Sequence, residues 1–261
     1  MCMPETLYLV VPCYNEEDVL KETAKRLLSK VKSLAGKKVI SSKSRIIFVD
    51  DGSEDTTWQI IEALHKKDSV YGGIKLSKNR GHQNALLAGL MTVKDSSDIV
   101  ISMDADLQDD IHAIDAMVSE YKNGSEIVYG VRSSRKKDSF FKRNTALFFY
   151  RIMRKLGVDS VYNHADYRLM SARALAELGK FTEVNLFLRG LVPLLGFKST
   201  VVEYERSERF AGESKYPLRK MINFAIDGIT SFSIKPIRLV SSAGIAVSII
   251  SIFILLYSLV Q

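Results

Sequence analysis

The chain has 261 residues, of which 46% are hydrophobic and 26% are charged, and its formal net charge at pH 7 is +7. These values suit one sizeable globular domain with a small appendage and exclude a disordered chain. The two cysteines, Cys2 and Cys13, lie too close together in sequence to build a disulfide scaffold, which suits a reducing compartment.

The positive charge is concentrated in residues 132–155, which contain nine Lys or Arg residues and a single acid. This segment is either a solvated basic helix face or a surface that attracts anionic lipid head groups or phosphorylated substrates. No nucleic-acid-binding motif accompanies the charge, so we do not expect nucleic acid as a partner.

The first 130 residues alternate between strand and helix patterns. Short apolar runs rich in β-branched residues predict strands at residues 7–11, 45–49, 73–76, 99–103 and 127–131. Longer helical patterns lie between them, at residues 17–34, 56–67, 84–93 and 111–122. This alternation predicts an α/β fold with a mainly parallel sheet and helices on both faces.

Polar clusters follow the first four predicted strands. They occupy residues 12–16, 50–53, 78–81 and 104–108. Because ligands of open parallel sheets bind beyond the carboxyl ends of the strands, the four clusters predict one shared binding site.

Asp104 and Asp106 lie two residues apart at a predicted strand end, where alternation places both carboxylates on the same side. Two carboxylates with Gln108 as a further oxygen donor suit Mg²⁺ or Mn²⁺. The alternative is that the acids are solvated and that Asp109 or Asp110 caps the helix that follows. The sequence contains no Cys and His set with the spacing of a zinc site.

Three of these motifs together resemble the family-2 inverting glycosyltransferases, which have the GT-A, Rossmann-like fold. They are Val-Pro-Cys-Tyr-Asn-Glu at 11–16, Val-Asp-Asp-Gly-Ser at 49–53 and Asp-Ala-Asp-Leu-Gln at 104–108. Residues 165–170 (Ala-Asp-Tyr-Arg-Leu-Met) and 209–216 (Arg-Phe-Ala-Gly-Glu-Ser-Lys-Tyr) are similar to the branch that contains dolichyl-phosphate mannose synthases and bactoprenol glucosyltransferases. The resemblance covers almost the whole chain.

The resemblance implies a role for each matching residue. The positions that hold the nucleotide base and ribose are Pro12, Tyr14, Glu16 and Asp51. The positions that bind nucleotide and metal are Asp104, Asp106 and Gln108. The positions that contact the acceptor phosphate are Arg132, Arg209, Ser214 and Lys215, the last three on a mobile loop. The catalytic positions are Asp166, Arg132 and Asp106.

Other interpretations of single residues stay open. Tyr14 could have only a packing role, Arg132 could be one more surface charge, and Asp166 could form a structural salt bridge with Arg168 or another arginine. We interpret His82, His112 and His164 as structural or incidental.

The end of the chain predicts a membrane helix. Residues 239–260 include no charged residue and would extend about 33 Å as a helix, enough to cross a hydrocarbon core. Lys235 and Arg238 precede this run, which favours a cytoplasmic location for the rest of the chain. We therefore predict a cytoplasmic catalytic domain at 1–216, juxtamembrane amphipathic helices at 217–238 and a transmembrane helix at 239–261. The alternative for the last segment is a buried core helix.

These observations, with the resemblance, predict an inverting transfer of sugar from a nucleotide-sugar, with UDP-sugar favoured, to a polyprenyl phosphate. Undecaprenyl phosphate at a bacterial cytoplasmic membrane is the favoured acceptor, and homo-oligomers are a further expectation. One rival is a processive polysaccharide synthase, but such enzymes usually have a Gln-x-x-Arg-Trp motif and the single tryptophan here is Trp58. The other rival is a non-catalytic membrane adaptor that retains a nucleotide-binding fold.

Overall fold

The computed structural model describes residues 4–133, 164–181, 188–207 and 235–261. The strands in these ranges are β1 (Leu7–Cys13), β2 (Arg45–Asp50), β3 (Tyr71–Lys75), β4 (Ile99–Ser102), β5 (Ile127–Arg132), β6 (His164–Ser171) and β7 (Ser199–Tyr204). The helices are α1 (Leu20–Gly36), α2 (Thr57–Lys67), α3 (His82–Val93), α4 (Ala113–Lys122), α5 (Ala172–Leu178), α6 (Leu188–Leu194) and α7 (Lys235–Val260).

The strands form one sheet with the order β3-β2-β1-β4-β6-β5-β7. Strand β6 runs antiparallel to both of its neighbours, whereas every other pair is parallel. The predicted α/β class with a mainly parallel sheet is therefore confirmed. The sequence patterns had not predicted β6 or β7.

Alternation along each strand divides the hydrophobic core between the two faces of the sheet. Leu9 and Val11 of β1 pack with residues of α1, α2 and α4, whereas Val10 packs with residues of α3, α5 and α6. Both sides of these strands are covered by helices, which explains why their sequences are continuous apolar runs. The layers leave the carboxyl ends of β1, β2 and β4 at one edge.

Helix α7 is apolar beyond its first turn, which contains Lys235 and Arg238. Its stretch Val240–Val260 has 21 residues with a mean hydropathy of 2.5, and none of it is buried against the rest of the protein. Length and composition therefore make it capable of crossing a membrane. The exposure argues against the alternative of a buried core helix. Residues 217–234 of the predicted juxtamembrane helices lie outside the described residues.

Candidate active site

The loops after β1 and β2 are joined to each other by hydrogen bonds. The backbone N–H of Asn15 donates to Ser53 Oγ at 2.9 Å, and Asn15 Oδ1 accepts from the N–H of Glu54 at 2.9 Å. The backbone N–H of Glu16 donates to Thr57 Oγ1 at 2.8 Å. Asn15 has a φ of 53°, a left-handed conformation that Asn tolerates better than most residues. The first two polar clusters therefore form one continuous rim.

Asp51 connects this rim to the loop after β3. Its two carboxylate oxygens accept the backbone N–H groups of Arg80 and Gly81, at 2.7 and 2.9 Å. Burial raises the pKa of Asp51 more than these two bonds lower it. The neighbouring Gly52 has a φ of +68°, and a Cβ there would lie only 2.5 Å from the carbonyl carbon of Lys78. A glycine is therefore required where the two loops meet.

The loop after β4 presents its polar side chains on one side. Asp104, Asp106 and Gln108 are partly exposed, whereas the residues between and before them are buried. Asp106 Oδ1 accepts the backbone N–H of Gln108 at 3.1 Å across Leu107, whose φ is +57°. A left-handed leucine is unusual, and such backbone is often found at functional sites. Alternation thus continues beyond the end of β4 and keeps the two carboxylates on the same side.

Asp109 points into the protein instead. Its Oδ1 accepts the hydroxyl of Tyr204 at 2.5 Å and lies 3.6 Å from Nη2 of Arg132. Burial, followed by the charge of Asp104, raises the pKa of Asp109 to about 6. Oδ2 of Asp109 is buried without a hydrogen-bond partner among the described residues. Asp109 is therefore a buried carboxyl group that joins the loop after β4 to Tyr204 and Arg132.

Asp166, on β6, is the centre of a second charged group. Its Oδ1 accepts Nη2 of Arg168 at 2.7 Å, and Arg189 Nη2 donates to its Oδ2 at 3.1 Å. Gln83 Nε2 also donates to Oδ2, at 3.2 Å. Burial by itself would raise the pKa of Asp166, but Arg189, the hydrogen bond from His82 and Arg168 hold that pKa well below its usual range. Asp166 is therefore a buried carboxylate between two arginines that favour its ionised form.

His82 lies between the two groups of acids. Its Nε2 is 3.4 Å from Asp166 Oδ2 and 3.7 Å from Asp104 Oδ1. Burial lowers the pKa of His82, but the hydrogen bond to Asp166 and the two negative charges outweigh burial and raise it. Because His82 is the first residue of α3, the β3–α3 connection places it at the same edge as Asp104. Residues from β4, β6 and α3 thus converge on one site.

Residues 8–179, well over half of the chain, match the model of the glycosyl transferase family 2. The chain belongs to this family.

Individual proteins that are similar to this chain in sequence or in structure are also named as glycosyltransferases. The chain is 55% identical over 245 residues to a Bacillus subtilis protein named uncharacterized glycosyltransferase YkoT, covering 94% of this chain and 73% of that protein. It is 36% identical over 243 residues to an Escherichia coli K12 protein named prophage bactoprenol glucosyl transferase homolog, covering 92% and 76%. The mannosyltransferase PcManGT of Pyrobaculum calidifontis, solved with GDP-Man and Mn²⁺, superposes with a TM-score of 0.61 at 16% identity, covering 90% and 65%. The protein is a glycosyltransferase enzyme with the GT-A fold, as the sequence motifs had predicted, and it is not a non-catalytic adaptor.

The structure brings most of the predicted site residues of this glycosyltransferase to one edge of the sheet. Within the described residues they are Pro12, Tyr14, Glu16, Asp51, Asp104, Asp106, Gln108, Arg132 and Asp166. Pro12 is buried within β1, and the carboxylate of Asp51 is already occupied by backbone donors. The nucleotide-binding role of these residues stays a prediction. Arg209, Ser214 and Lys215 lie outside the described residues, as does the basic segment after residue 133.

The alternatives considered for single residues are resolved only in part. Asp166 does pair with Arg168, as a structural salt bridge would require, but the contact with His82 also connects it to Asp104. Asp110 accepts the N–H of His112 at 2.9 Å near the start of α4, whereas Asp109 does not cap the helix. Arg132 has only 25% of its side chain exposed and contacts Asp109, so it is not an ordinary surface charge.

The donors in the 104–108 segment fit a hard divalent cation. No three His, Cys, Asp or Glu side chains converge on a metal position in the parts of the chain that the structure describes. The available set is two carboxylates and the amide oxygen of Gln108, a small oxygen set that suits Mg²⁺ or Mn²⁺ with the remaining positions taken by water and phosphate oxygens.

Sequence reasoning missed several residues of the site. His82 was interpreted as structural or incidental, but it lies between Asp104 and Asp166. Its position directly after Gly81, at the start of a helix that follows a strand, was the available signal. Arg189 and Tyr204 had no such signal, because they reach the site from elements that are distant in sequence.

Proposed function

We propose that the protein transfers a sugar, with inversion, from a nucleotide-sugar to a polyprenyl phosphate, with a UDP-sugar as donor and undecaprenyl phosphate as acceptor. The support from relatives is the group of proteins named bactoprenol glucosyl transferases, at 36–37% identity. The observation that carries the proposal is the environment of Asp166, whose carboxylate is buried and paired with two arginines.

An acceptor hydroxyl must lose a proton when it attacks the sugar, so an enzyme that uses such an acceptor needs a general base. Asp166 is a poor base because Arg168 and Arg189 lower its pKa. Asp109 has a pKa near neutrality, but its side chain is only 2% exposed and lies under Tyr204. A phosphate monoester has a second pKa of about 6, so it is largely deprotonated at neutral pH and supplies its own nucleophilic oxygen.

The charges around the site suit two anionic substrates. A bound Mg²⁺ or Mn²⁺ would stabilise negative charge on the departing nucleoside diphosphate. Arg132, held by Asp109 and Tyr204, offers a guanidinium at the same edge to a phosphate group. Asp166 keeps Arg189 and His82 in place, so its role is to orient cations beside the reacting centre and not to remove a proton.

The membrane part of the proposal depends on α7. A polyprenyl chain is confined to the bilayer, so an enzyme that uses its phosphate benefits from a membrane helix of its own. Lys235 and Arg238, at the start of α7, favour a cytoplasmic location for the catalytic domain. The proposal therefore includes the domain division at 216 and 238 and a location at the bacterial cytoplasmic membrane.

The test uses pairs of acceptors that differ only in the phosphate. Full-length protein in undecaprenyl-phosphate or undecaprenol bilayers is incubated with Mn²⁺ and a panel of labelled UDP- and GDP-sugars, and labelled lipid is measured. We expect labelling from a UDP-sugar with undecaprenyl phosphate and none with undecaprenol. Transfer to undecaprenol at a similar rate would contradict the proposal, because the alcohol needs a general base and the arginines beside Asp166 make that carboxylate a poor one.

A further inference from the structure

The side chain of Gln108 is held by an arginine from a distant part of the chain. Nη2 of Arg206 donates a short hydrogen bond to Oε1 of Gln108. The same oxygen is the third donor of the predicted metal set. A cation from the protein therefore already contacts an atom that a divalent ion would use.

The backbone delivers Arg206 to this position. The N–H of Ser207 donates to the carbonyl oxygen of Gln108 at 2.9 Å, so residues 206 and 207 both bind the same glutamine. Two residues earlier, the hydroxyl of Tyr204 donates to Asp109. The end of β7 and the residues after it thus contact the 104–109 loop at three positions, Tyr204, Arg206 and Ser207, so the contact of Arg206 does not stand alone.

The local charge explains why a guanidinium binds here. Asp104, Asp106 and Asp109 place three carboxyl groups on one short loop beside Gln108. A guanidinium reduces this negative potential and donates to the amide oxygen at the same time. A divalent ion bound to the carboxylates would neutralise the negative charge of the same loop. The ion and the guanidinium would then repel each other if both contacted the amide oxygen.

We propose that Arg206 is an internal competitor for the metal site, so that binding of Mg²⁺ or Mn²⁺ at Asp104, Asp106 and Gln108 displaces the guanidinium from the amide oxygen. This inference rests on the metal site of the proposed function. It adds a positioning residue that holds Gln108 when the metal is absent and lowers the affinity for metal.

The test is Mn²⁺ binding to the full-length protein in detergent micelles, measured by electron paramagnetic resonance without any sugar donor. Arg206→Ala should bind Mn²⁺ about two- to fivefold more tightly than the wild type, the range expected for loss of one exposed charged contact. Arg173→Ala is the matched control, because Arg173 is also an exposed arginine, and its partner Glu126 lies outside the 104–109 loop. It should leave Mn²⁺ affinity unchanged.

A double-mutant cycle separates direct competition from a general charge effect. In a Gln108→Ala background, the substitution Arg206→Ala should no longer tighten Mn²⁺ binding. An equal gain with and without Gln108, or no gain in Arg206→Ala itself, would overturn the inference while leaving the metal site and the transferase function standing. Absence of Mn²⁺ binding in the wild type would instead contradict the metal site, and the inference with it.

Discussion

The hydroxyl of Tyr204 lies 2.5 Å from Oδ1 of Asp109, and this contact joins the end of β7 to the loop that holds the predicted metal ligands. Arg132 lies on the same pair, with Nε 3.4 Å from the Tyr204 hydroxyl and Nη2 3.6 Å from Asp109. The negative charge of Asp109 raises the pKa of Tyr204, although burial contributes most. The tyrosine therefore remains a hydrogen-bond donor across the physiological pH range.

Tyr204→Phe removes the hydroxyl that donates a hydrogen bond to the buried Asp109, so we expect a loss of about 1.5–3 kcal/mol in the free energy of unfolding. Tyr71→Phe is the matched control, because Tyr71 is equally buried but donates to a neutral carbonyl, that of Ala24. It should cost about 1 kcal/mol. Unfolding of the full-length protein in micelles, followed by Trp58 fluorescence, measures both losses. A loss in Tyr204→Phe no larger than in Tyr71→Phe would show that the charge of Asp109 adds nothing.

Gly52→Ala should destabilise the protein and weaken nucleotide binding, because the new Cβ would meet the backbone of Lys78 and Asn79 at 2.5–2.6 Å. Gly196→Ala is the control: its φ of +69° matches the +68° of Gly52, but nothing lies within 4 Å of the added carbon. We expect about 1–2 kcal/mol for Gly196→Ala from the left-handed conformation alone, and about 3 kcal/mol or more for Gly52→Ala. Thermal unfolding and nucleotide titration provide the measurements. Equal losses in the two variants would refute the close approach of the loops.

Asp106→Asn should abolish most Mn²⁺ binding and lower the synthesis of sugar-lipid by about 100-fold or more, because it removes one of two charged metal ligands. Asp110→Asn changes a carboxylate of the same loop that binds the N–H of His112 at the start of α4. It should retain Mn²⁺ affinity. Calorimetric titration with Mn²⁺ and an assay of labelled lipid compare the two variants. A similar loss of Mn²⁺ affinity and of lipid labelling in both variants would contradict a specific role of Asp106 in metal binding.

Asp166→Asn should destabilise the protein by about 3–5 kcal/mol at pH 7, because Arg168 would remain buried without a negative partner. The folded-state pKa of Asp166 is lowered, so the stability it contributes is present above the unfolded-state pKa of about 3.9 and is lost as the pH falls towards the folded-state value. The difference between wild type and variant should therefore shrink below about pH 4.

Melting temperatures of both proteins between pH 7 and pH 3 test this expectation. Glu177→Gln is a suitable control, because Glu177 forms an exposed pair with Lys180 and should show little change at any pH. A pH-independent difference between the wild type and Asp166→Asn would mean that the carboxylate is not held ionised by its arginines.

Local sequence patterns were sufficient for the first half of the fold. Buried parallel strands need apolar residues on both faces, so β1, β2, β4 and β5 are continuous apolar runs that periodicity identifies. The segment predicted to bind metal could also be identified from the sequence, because Asp104 and Asp106 follow such a run and alternation places them on the same side. The family resemblance identified Asp166 and Arg132 without indicating what surrounds them.

Strand β6 could not be recognised from its sequence, His-Ala-Asp-Tyr-Arg-Leu-Met-Ser, because it buries charged side chains in the middle of the sheet. Arg168 is 2% exposed, which is tolerable only because Asp166 and the carbonyl oxygen of Leu188 receive its guanidinium. Neither the antiparallel direction of β6 nor the partner from α6 is encoded in a local pattern.

The sequence by itself determined the α/β class, the apolar helix and the acids at the strand ends, because each depends on residues that are neighbours in the chain. Only the tertiary structure decided that His82 lies between Asp104 and Asp166, that Arg189 pairs with Asp166, and that Arg206 reaches Gln108. The residues in these contacts are far apart in sequence. The separation ranges from 22 positions, between His82 and Asp104, to 98 positions, between Gln108 and Arg206. The energy of an ion pair depends on the distance between its two charges in space. Only the packing of the sheet and its helices determines which charged side chains lie close together.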